Sequence, residues 1–357
     1  MVGIVVVLIL GLLVSFSVTL RGSPVRQETS IGSVVTPSNS VPAKNPTSTV
    51  EPILTTKASP TAIVATPTST LVPAVVATST PKPQQFFLGD FVEQYGYTVA
   101  ALTVENPATP GGLYQVKPGK KLIAVEIIVG NISGKPIGVN PLNVTLFDSE
   151  GFAHQTELGG RDNQIETTHL YQGEKVRGWI AFEVPEATKA VSIKYRIEIF
   201  GNQFIQASLI PPIAGHETIA QSESLPLVNS LPKIGEIAEG FGYSISATNV
   251  ENPTQPSNLY EPRTGYKLVA VEIIAGNVSG EILSVNPLYV VLIDADGFVY
   301  RAELGGRDGQ IATGKLSAGE KIKGWVAFTI LENAIPSRIR YELDFRNADR
   351  VLQTGLN

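Results

Sequence analysis

Cysteine does not occur in this 357-residue chain, and methionine occurs only once. The absence of cysteine excludes disulfides, thiolate metal sites, a cysteine nucleophile and the lipidated cysteine of bacterial lipoproteins. Packing must therefore stabilise whatever folds here. The length is sufficient for two domains that each bury a core of their own.

A surplus of basic residues is also missing. The chain carries 27 Lys and Arg against 32 Asp and Glu, which gives a formal net charge of -5. Proteins that bind nucleic acid need clustered Lys and Arg to neutralise phosphates. We therefore predict no nucleic-acid partner.

Catalytic motifs are absent as well. The sequence contains no nucleophile elbow, no HExxH zinc motif and no phosphate-binding P-loop. An enzyme would have to rely on Asp and Glu, as glycosidases do, and nothing marks an opposed pair of carboxylates. The "DSEG" at Asp148 and the "DADG" at Asp294 indicate hairpin turns rather than calcium loops, because further acidic ligands do not follow. We predict a protein without enzymatic activity, cofactor or bound metal.

The longest apolar run, "VGIVVVLILGLLVSFSVTL", covers residues 2–20 and contains no charge. A helix of this length just crosses a hydrocarbon layer of about 30 Å. The run is either a transmembrane anchor or a cleaved signal sequence, and its excess over the usual h-region favours the anchor. Arg21 and Arg26 follow it, which by the positive-inside rule would place the rest of the chain in the cytoplasm.

Residues 23–84 argue for the opposite orientation. They consist of units rich in Thr, Pro and Ser, such as "VATPTSTLVPAVVATSTPKP", with little charge and no helical or alternating period. Such a segment cannot bury enough apolar surface to offset its ordering entropy, and we predict a disordered exterior stalk. The expected protein is a single-pass cell-membrane protein that contacts the membrane through its N-terminal helix and holds the bulk of the chain extracytoplasmic.

The remainder of the chain is a tandem duplication. The stretch "ELGGRD" begins at Glu157 and again at Glu303, 146 residues later. The same shift aligns "KLIAVEIIVGNISG" with "KLVAVEIIAGNVSG" and "GEKVRGWIAFEVPE" with "GEKIKGWVAFTILE". This period is too long for a solenoid repeat. We predict two whole domains, at residues 85–200 and 232–346, joined by a connector at 201–231.

Each unit has the residue alternation of β-strands. In "VSIKYRIEI", Val191, Ile193 and Tyr195 face one way while Ser192 and Lys194 face the other. Some seven such runs, separated by turn signals such as "ENP", "KPGK" and "DSEG", occur in the first unit. This pattern predicts an all-β protein made of two immunoglobulin-like β-sandwiches.

The order of motifs resembles a known family. The succession of "LGD…GY", "GKKLIAVEIIVGNISGKPI", "LFDSEG", "GEKVRGWIAFEVPE" and "IKYRI" is similar to bacterial domains of unknown function in the immunoprotective extracellular, immunoglobulin-like superfamily. The resemblance covers nearly all of both units and none of the stalk. It implies a sandwich fold and a location outside the cytoplasm, because members of this family are commonly domains of exported lipoproteins. This chain departs from them by offering an apolar N-terminal helix instead of a lipid-bearing cysteine.

Trp179 and Trp325 are the only tryptophans and occupy equivalent positions. In "GWIAFEV" the apolar residues Ile180 and Phe182 share one parity, so Trp179 points to the opposite face of the sheet. There the indole is either covered by a loop or exposed as a contact residue. We favour the covering loop and expect "ELGGRD" to supply it.

The "ELGGRD" stretch is either a structural loop or a recognition loop. Its two glycines permit backbone angles that are costly for other residues. We expect charge-assisted hydrogen bonds within the stretch to clamp it, between Arg161 and Asp162 in the first copy and between Arg307 and Asp308 in the second.

Taken together, these features predict a membrane-anchored, surface-displayed, non-enzymatic binding or adhesion module. A cell-wall glycan or a surface protein is the expected kind of partner. One alternative is a purely architectural spacer in the cell envelope, and a less favoured one is a polysaccharide-active enzyme. Two copies would strengthen binding through avidity, and they would equally lengthen a spacer. The duplication therefore does not distinguish between these two functions.

Overall fold

A computed structural model describes residues 85–197, 201–222, 230–258, 260–344 and 347–357. The predicted membrane segment at 2–20 and the predicted stalk at 23–84 lie outside these residues. Among the residues that the structure does describe, no helix is both long enough and apolar enough to cross a membrane.

The first repeat is built from short and medium strands with one turn of 3-10 helix at Pro141–Asn143. Its strands, numbered in chain order, are β1 Val92–Gln94, β2 Tyr97–Glu105, β3 Lys120–Asn131, β4 Ile137–Val139, β5 Val144–Asp148, β6 Ala153–Gln155, β7 Thr168–Leu170, β8 Lys175–Pro185, β9 Ala190–Arg196 and β10 Phe204–Ser208. They form two antiparallel sheets, in the orders β1-β2-β3-β8 and β10-β9-β5-β6, and a β4-β7 pair.

The second repeat has the same succession of elements, with its 3-10 turn at Pro287–Tyr289. Its strands are β11 Ala238–Gly240, β12 Tyr243–Glu251, β13 Tyr266–Asn277, β14 Leu283–Val285, β15 Val290–Asp294, β16 Val299–Glu303, β17 Gly314–Leu316, β18 Lys321–Leu331, β19 Pro336–Glu342 and β20 Val351–Gly355. Here β16 pairs with both β15 and β18, which joins the two sheets into the order β11-β12-β13-β18-β16-β15-β19-β20. The chain is therefore all-β, with sandwich-like folds in two repeats, as the sequence predicts.

The last strand of each repeat lies beyond the bounds expected from the sequence, which end at residues 200 and 346. β10 pairs along the length of β9 and places Ile205 and Ala207 in the first core. β20 pairs with β19 in the same way. A five-residue strand carries a weak alternation signal, but it covers the edge of its neighbour and so belongs to the folded repeat rather than to the connector.

Each repeat buries its main core between its two sheets. In the first repeat, Ile127, Phe182 and Ile193 are fully buried there. The outer face of the β1-β2-β3-β8 sheet carries a second, smaller cluster of Ala108, Leu122, Ala124 and Ala181, with Tyr114, Val116 and Trp179 packed against it. This outer cluster explains why β3 is apolar on both faces.

The two repeats meet at a packed joint. Val291 and Ile293 of β15, together with Val299 of β16, belong to the hydrophobic core cluster of the first repeat. Beside them, the Lys175 amide donates to the carbonyl of Gly297 at 2.9 Å. The repeats are thus connected by a hydrophobic contact and a backbone hydrogen bond as well as by the connector.

A buried ionic network completes the joint. Glu174, at the end of the turn before β8, accepts hydrogen bonds from Arg340 at 2.6 Å and from Arg338 at 2.9 Å, both on β19. Arg340 also donates to Glu342 and to the carbonyl of His169, each at 2.9 Å. A buried charge is tolerated only when it is paired and hydrogen-bonded in this way.

Candidate functional site

The two tryptophans lie at matching positions on the outer faces of the two repeats. In the strand register Trp179 is opposite Glu126 of β3, and Trp325 is opposite Glu272 of β13. Both indoles are half-buried. Trp179 packs against the outer apolar cluster, so part of its surface is already used by its own sheet.

The segment that follows "ELGGRD" is attached to the backbone of the tryptophan. The Trp179 amide donates to the carbonyl of Asn163 at 2.9 Å, and the Ile165 amide donates to the carbonyl of Trp179 at 3.1 Å. Trp325 makes the same two bonds with Gly309 and Ile311, at 3.0 and 2.9 Å. Each loop therefore runs alongside the strand that bears the indole and forms a short bridge with it.

A glutamine side chain closes each loop on itself. The Gln164 amide group donates to the carbonyl of Glu157 at 2.7 Å and accepts from the amide of Gly159 at 2.6 Å. Gln310 repeats both bonds in the second copy, with Glu303 and Gly305. The first glycine of the "GG" pair has a φ of 76° in one copy and 75° in the other, a left-handed conformation that glycine adopts without strain.

The glycine before each tryptophan makes room for the loop. A Cβ on Gly178 would lie 2.8 Å from the carbonyl oxygen of Asn163, and one on Gly324 would lie 2.7 Å from Ile311 backbone atoms. The "GW" pair is thus required because the loop backbone passes directly over the strand at that point.

An arginine from each loop lies over the indole ring. The guanidinium carbon of Arg161 is 5.1 Å from the Trp179 ring centroid, and that of Arg307 is 3.8 Å from the Trp325 centroid. Both distances are within the range of cation–π attraction. The structure therefore brings the arginine and tryptophan of each copy together.

The carboxylate partner of each arginine is a glutamate from another strand rather than the adjacent aspartate. Arg161 makes two hydrogen bonds of 3.1 Å to Glu105, and Arg307 makes bonds of 2.8 and 2.7 Å to Glu251. Asp162 and Asp308 are both exposed. The hydrogen bond between Arg307 and its neighbour Asp308 goes to the backbone carbonyl of Asp308, at 2.7 Å, and not to its carboxylate.

Sequence reasoning missed these two glutamates, although a signal for them exists. Glu105 and Glu251 both belong to the repeated "VENP" and keep the same 146-residue shift as the arginines. A fork-shaped guanidinium and a carboxylate pair most strongly through two parallel bonds. Searching the repeat for acids that recur with the arginine would have named them as candidates.

Two acids, Glu251 and Glu183, are held in the ionised form. Hydrogen bonds from Arg307 and Thr254 lower the pKa of Glu251 to about 2. Burial opposes ionisation of Glu183, but bonds from Lys117, Lys120 and Tyr114 lower its pKa to about 2 as well. Carboxylates in this state accept hydrogen bonds and form ion pairs at neutral pH. They do not match the raised pKa that a general acid needs.

A second feature lies at the joint between the repeats. A cleft of about 840 Å³, a figure that includes its open mouth, is lined by residues of both repeats. Its walls include Thr168 and Arg177 from the first repeat and Tyr266, Phe298 and Arg301 from the second. None of the six residues singled out from the sequence lines this cleft. Within the described part of the chain, no group of three or more His, Asp or Glu residues is placed to hold a metal ion.

A family model matches residues 88–206 and 232–350, the two repeats, and is described as "Domain of unknown function (DUF4352)". The matched residues make up more than half of the chain. The chain belongs to the DUF4352 family. The predicted membership of a family of domains of unknown function, in two tandem copies, is confirmed.

This DUF4352 protein also has distant likenesses among solved structures. The ycdA protein of Bacillus subtilis is 11% identical with a TM-score of 0.29, and the match covers 34% of this chain and 38% of ycdA. The yjhA protein of Bacillus subtilis is 13% identical with a TM-score of 0.28, covering 35% of this chain and 99% of yjhA. MPT63, a secreted protein from Mycobacterium tuberculosis, is 13% identical with a TM-score of 0.27, covering 36% of this chain and 99% of MPT63. A comparison with curated proteins gives no match.

Proposed function

We propose that this DUF4352 protein is a non-enzymatic binding module displayed on the outer side of the cell membrane. In this proposal residues 2–20 anchor the chain, residues 23–84 form a stalk, and the two repeats are immunoglobulin-like sandwiches that face outward. The ligand is a component of the cell envelope or of a neighbouring surface.

The observation that carries this proposal is the cleft at the joint. Its walls contain buried polar atoms that have no hydrogen-bond partner among the residues that the structure describes, including the hydroxyl of Thr168, a residue that is only 4% exposed. Buried polar groups in folded proteins are almost always paired, and a concave site with a few convergent polar groups is the usual form of a ligand site. A bound ligand would supply the missing partners.

An architectural spacer is the second candidate, and the ionic joint favours it. Glu174 with Arg338 and Arg340 ties the two repeats together through buried side chains, as a spacer of constant length would require. A spacer needs such a joint but does not need an open cleft with unpaired polar groups beside it. The cleft therefore favours binding over spacing.

The proposal is tested with the full chain, kept in solution by mild detergent and presented to cell-wall glycans and surface proteins. We expect saturable attachment to one component. Phe298→Ala, which removes an aromatic ring from the wall of the cleft, should weaken it. Phe152→Ala is the matched control, because Phe152 is the equivalent residue of the first repeat and is exposed outside the cleft. If nothing is bound although both repeats are folded, the spacer is the correct function.

Location is tested separately on intact cells. Added protease should remove both repeats if they face outward. Protection of both repeats until the cells are lysed would contradict the proposed orientation, and it would show that Arg21 and Arg26 set the topology by the positive-inside rule.

A further inference from the structure

The cleft at the joint has no counterpart elsewhere in the duplicated sequence. At the constant shift of 146 residues, Arg301 corresponds to Gln155, and Tyr266 to Lys120. Phe298 lines the cleft, whereas its equivalent in the first repeat, Phe152, is 62% exposed. The duplication therefore creates one composite site rather than two equal ones.

Arg301 is fixed in the wall of this cleft and retains an unused donor. Its terminal nitrogens donate to Glu342 at 3.3 Å and to the carbonyl of Thr167 at 2.5 Å. In the described part of the chain, its Nε is buried without a hydrogen-bond partner and lies 4.0 Å from Glu166, beyond hydrogen-bond distance. A guanidinium held in place at one end is preorganised to donate to an oxyanion at the other.

Charged side chains of both signs line the cleft. Three arginines and two glutamates line it. Arg177 is matched by Glu126 on the neighbouring strand, with bonds of 2.8 and 3.0 Å. Arg263 is exposed and forms no ion pair within the described ranges.

The lining also contains two acidic residues, Glu166 and Glu303. The side chain of Glu166 is 72% exposed, so water screens its charge. The groups of the cleft that an anionic ligand would contact are the exposed Arg263 and the Nε of Arg301.

Neutral polar atoms and rigid rings complete the lining. The Oγ1 of Thr168 and the Oδ1 of Asn163 are buried and have no partner within the described ranges, so they match hydroxyl groups that donate and accept hydrogen bonds. Tyr300 is held by a 2.8 Å bond from its hydroxyl to Asp294, and Lys175 lies 4.6 Å from the Phe298 ring centroid. Aromatic rings fixed in this way offer apolar faces to the ligand.

We propose that this cleft binds an acidic sugar unit of an envelope polysaccharide, with Arg301 and Arg263 on its carboxylate and Thr168 and Asn163 on its hydroxyl groups. A sugar acid combines the three features that the lining requires, namely an oxyanion, several hydroxyl groups and an apolar ring face. An acidic peptide would satisfy the arginines but would bring no hydroxyl groups to the buried oxygen atoms.

This inference rests on the proposed binding function, and the test keeps the two apart. The full chain in mild detergent is titrated by calorimetry with oligomers of galacturonic acid, with neutral galactose oligomers of equal length, and with oligoglutamate. We expect saturable binding of the acidic sugar. Both other probes should bind at least ~10-fold more weakly, because a tenfold difference corresponds to the loss of one or two hydrogen bonds to charged groups.

Three variants locate the site. Arg301→Gln installs the residue that the first repeat has at this position, and Arg263→Gln alters an exposed side chain, so both should fold. Each is expected to weaken binding of the acidic sugar by about 10-fold. Lys189→Gln removes one positive charge from an exposed position outside the cleft and should change the affinity by less than about twofold.

Several outcomes would overturn the inference. Equal binding of galactose oligomers or of oligoglutamate would show that the ligand class is wrong. Equal weakening by Lys189→Gln would show diffuse charge attraction rather than a site. If the chain still attaches to envelope material but binds none of the three probes, the ligand class fails while the binding function stands; if it attaches to nothing, the binding function itself fails.

Discussion

Arg340 of the second repeat and Glu174 of the first are both fully buried, and they form two hydrogen bonds of 2.6 Å across the joint. The guanidinium of Arg340 also lies over the ring of Tyr171, with its carbon 4.3 Å from the ring centroid. The two repeats of this DUF4352 protein are therefore joined through charges that water does not reach.

Removing the Glu174 carboxylate should destabilise the protein strongly. Glu174→Ala leaves Arg338 and Arg340 buried without their main partner, which typically costs about 3 to 5 kcal/mol. Glu320→Ala is the matched control, because Glu320 occupies the equivalent turn of the second repeat. Its carboxylate accepts a hydrogen bond from the Ser317 amide, as that of Glu174 does from the Tyr171 amide. Unlike Glu174, however, Glu320 is exposed. Chemical denaturation of the full chain measures both. Equal losses in the two variants would mean that only the turn matters.

Loss of either indole should destabilise its own repeat. Trp179→Ala and Trp325→Ala each remove a half-buried ring packed under an arginine, and we expect a loss of about 3 kcal/mol in each case. Leu113→Ala, at a fully exposed position, should change the unfolding free energy by less than about 0.5 kcal/mol. An unmoved denaturation midpoint in both tryptophan variants would instead mark the indoles as contact residues.

A methyl group at the glycine before each tryptophan should displace the loop. We expect Gly178→Ala and Gly324→Ala to cost about 1 to 3 kcal/mol, the usual range for overpacking, because the added carbon would meet loop backbone at 2.8 and 2.7 Å. Gly134→Ala places the same carbon in open space and serves as the control. Hydrogen exchange at the Ile165 and Ile311 amides reports the displacement directly. Unchanged protection there would contradict the assigned role of the glycines.

The pair between Arg307 and Glu251 should make stability depend on pH. Arg307 and Thr254 lower the pKa of Glu251 from its ordinary 4.5 to about 2. A lowered folded-state pKa contributes stability that is present above pH 4.5 and is lost as the pH falls toward 2. Glu251→Gln should therefore be less stable than the wild type at neutral pH, and the difference should shrink as the pH falls through this window.

Urea midpoints measured between pH 7 and pH 2 test this dependence. Glu332→Gln removes the same charge from an exposed position in the same repeat, and its difference from the wild type should stay small at every pH. A constant difference for Glu251→Gln across the range would show that its ionisation is not coupled to folding.

Local pattern is enough to predict the repeats, their all-β character and the outer position of the indoles. Alternation along "GWIAFEV" places Trp179 on the face opposite Ile180 and Phe182, because side chains of a strand alternate between faces. The partner of Arg161 is harder to predict. Glu105 is 56 residues away in sequence, and the two meet only because the loop crosses the sheet that carries β2.

The ion pairs between the two repeats are still harder to predict from the sequence. Glu174 and Arg340 are 166 positions apart, and each sits in a stretch that reads as an ordinary turn or an ordinary half-buried strand. Comparing the repeats with one another does give a hint, because Arg338 and Arg340 correspond to Ser192 and Lys194. Such differences show that one copy has acquired a special contact, but they do not identify the other partner.

The same differences limit how far this architecture can be extended. A head-to-tail contact that each new copy repeats would generate a row of molecules or a filament. In the second repeat the exposed Glu320 takes the place of Glu174. The first repeat of a separate molecule would present Ser192 and Lys194 to it instead of two arginines. End-to-end association of separate chains therefore cannot reuse this contact without replacing those two residues.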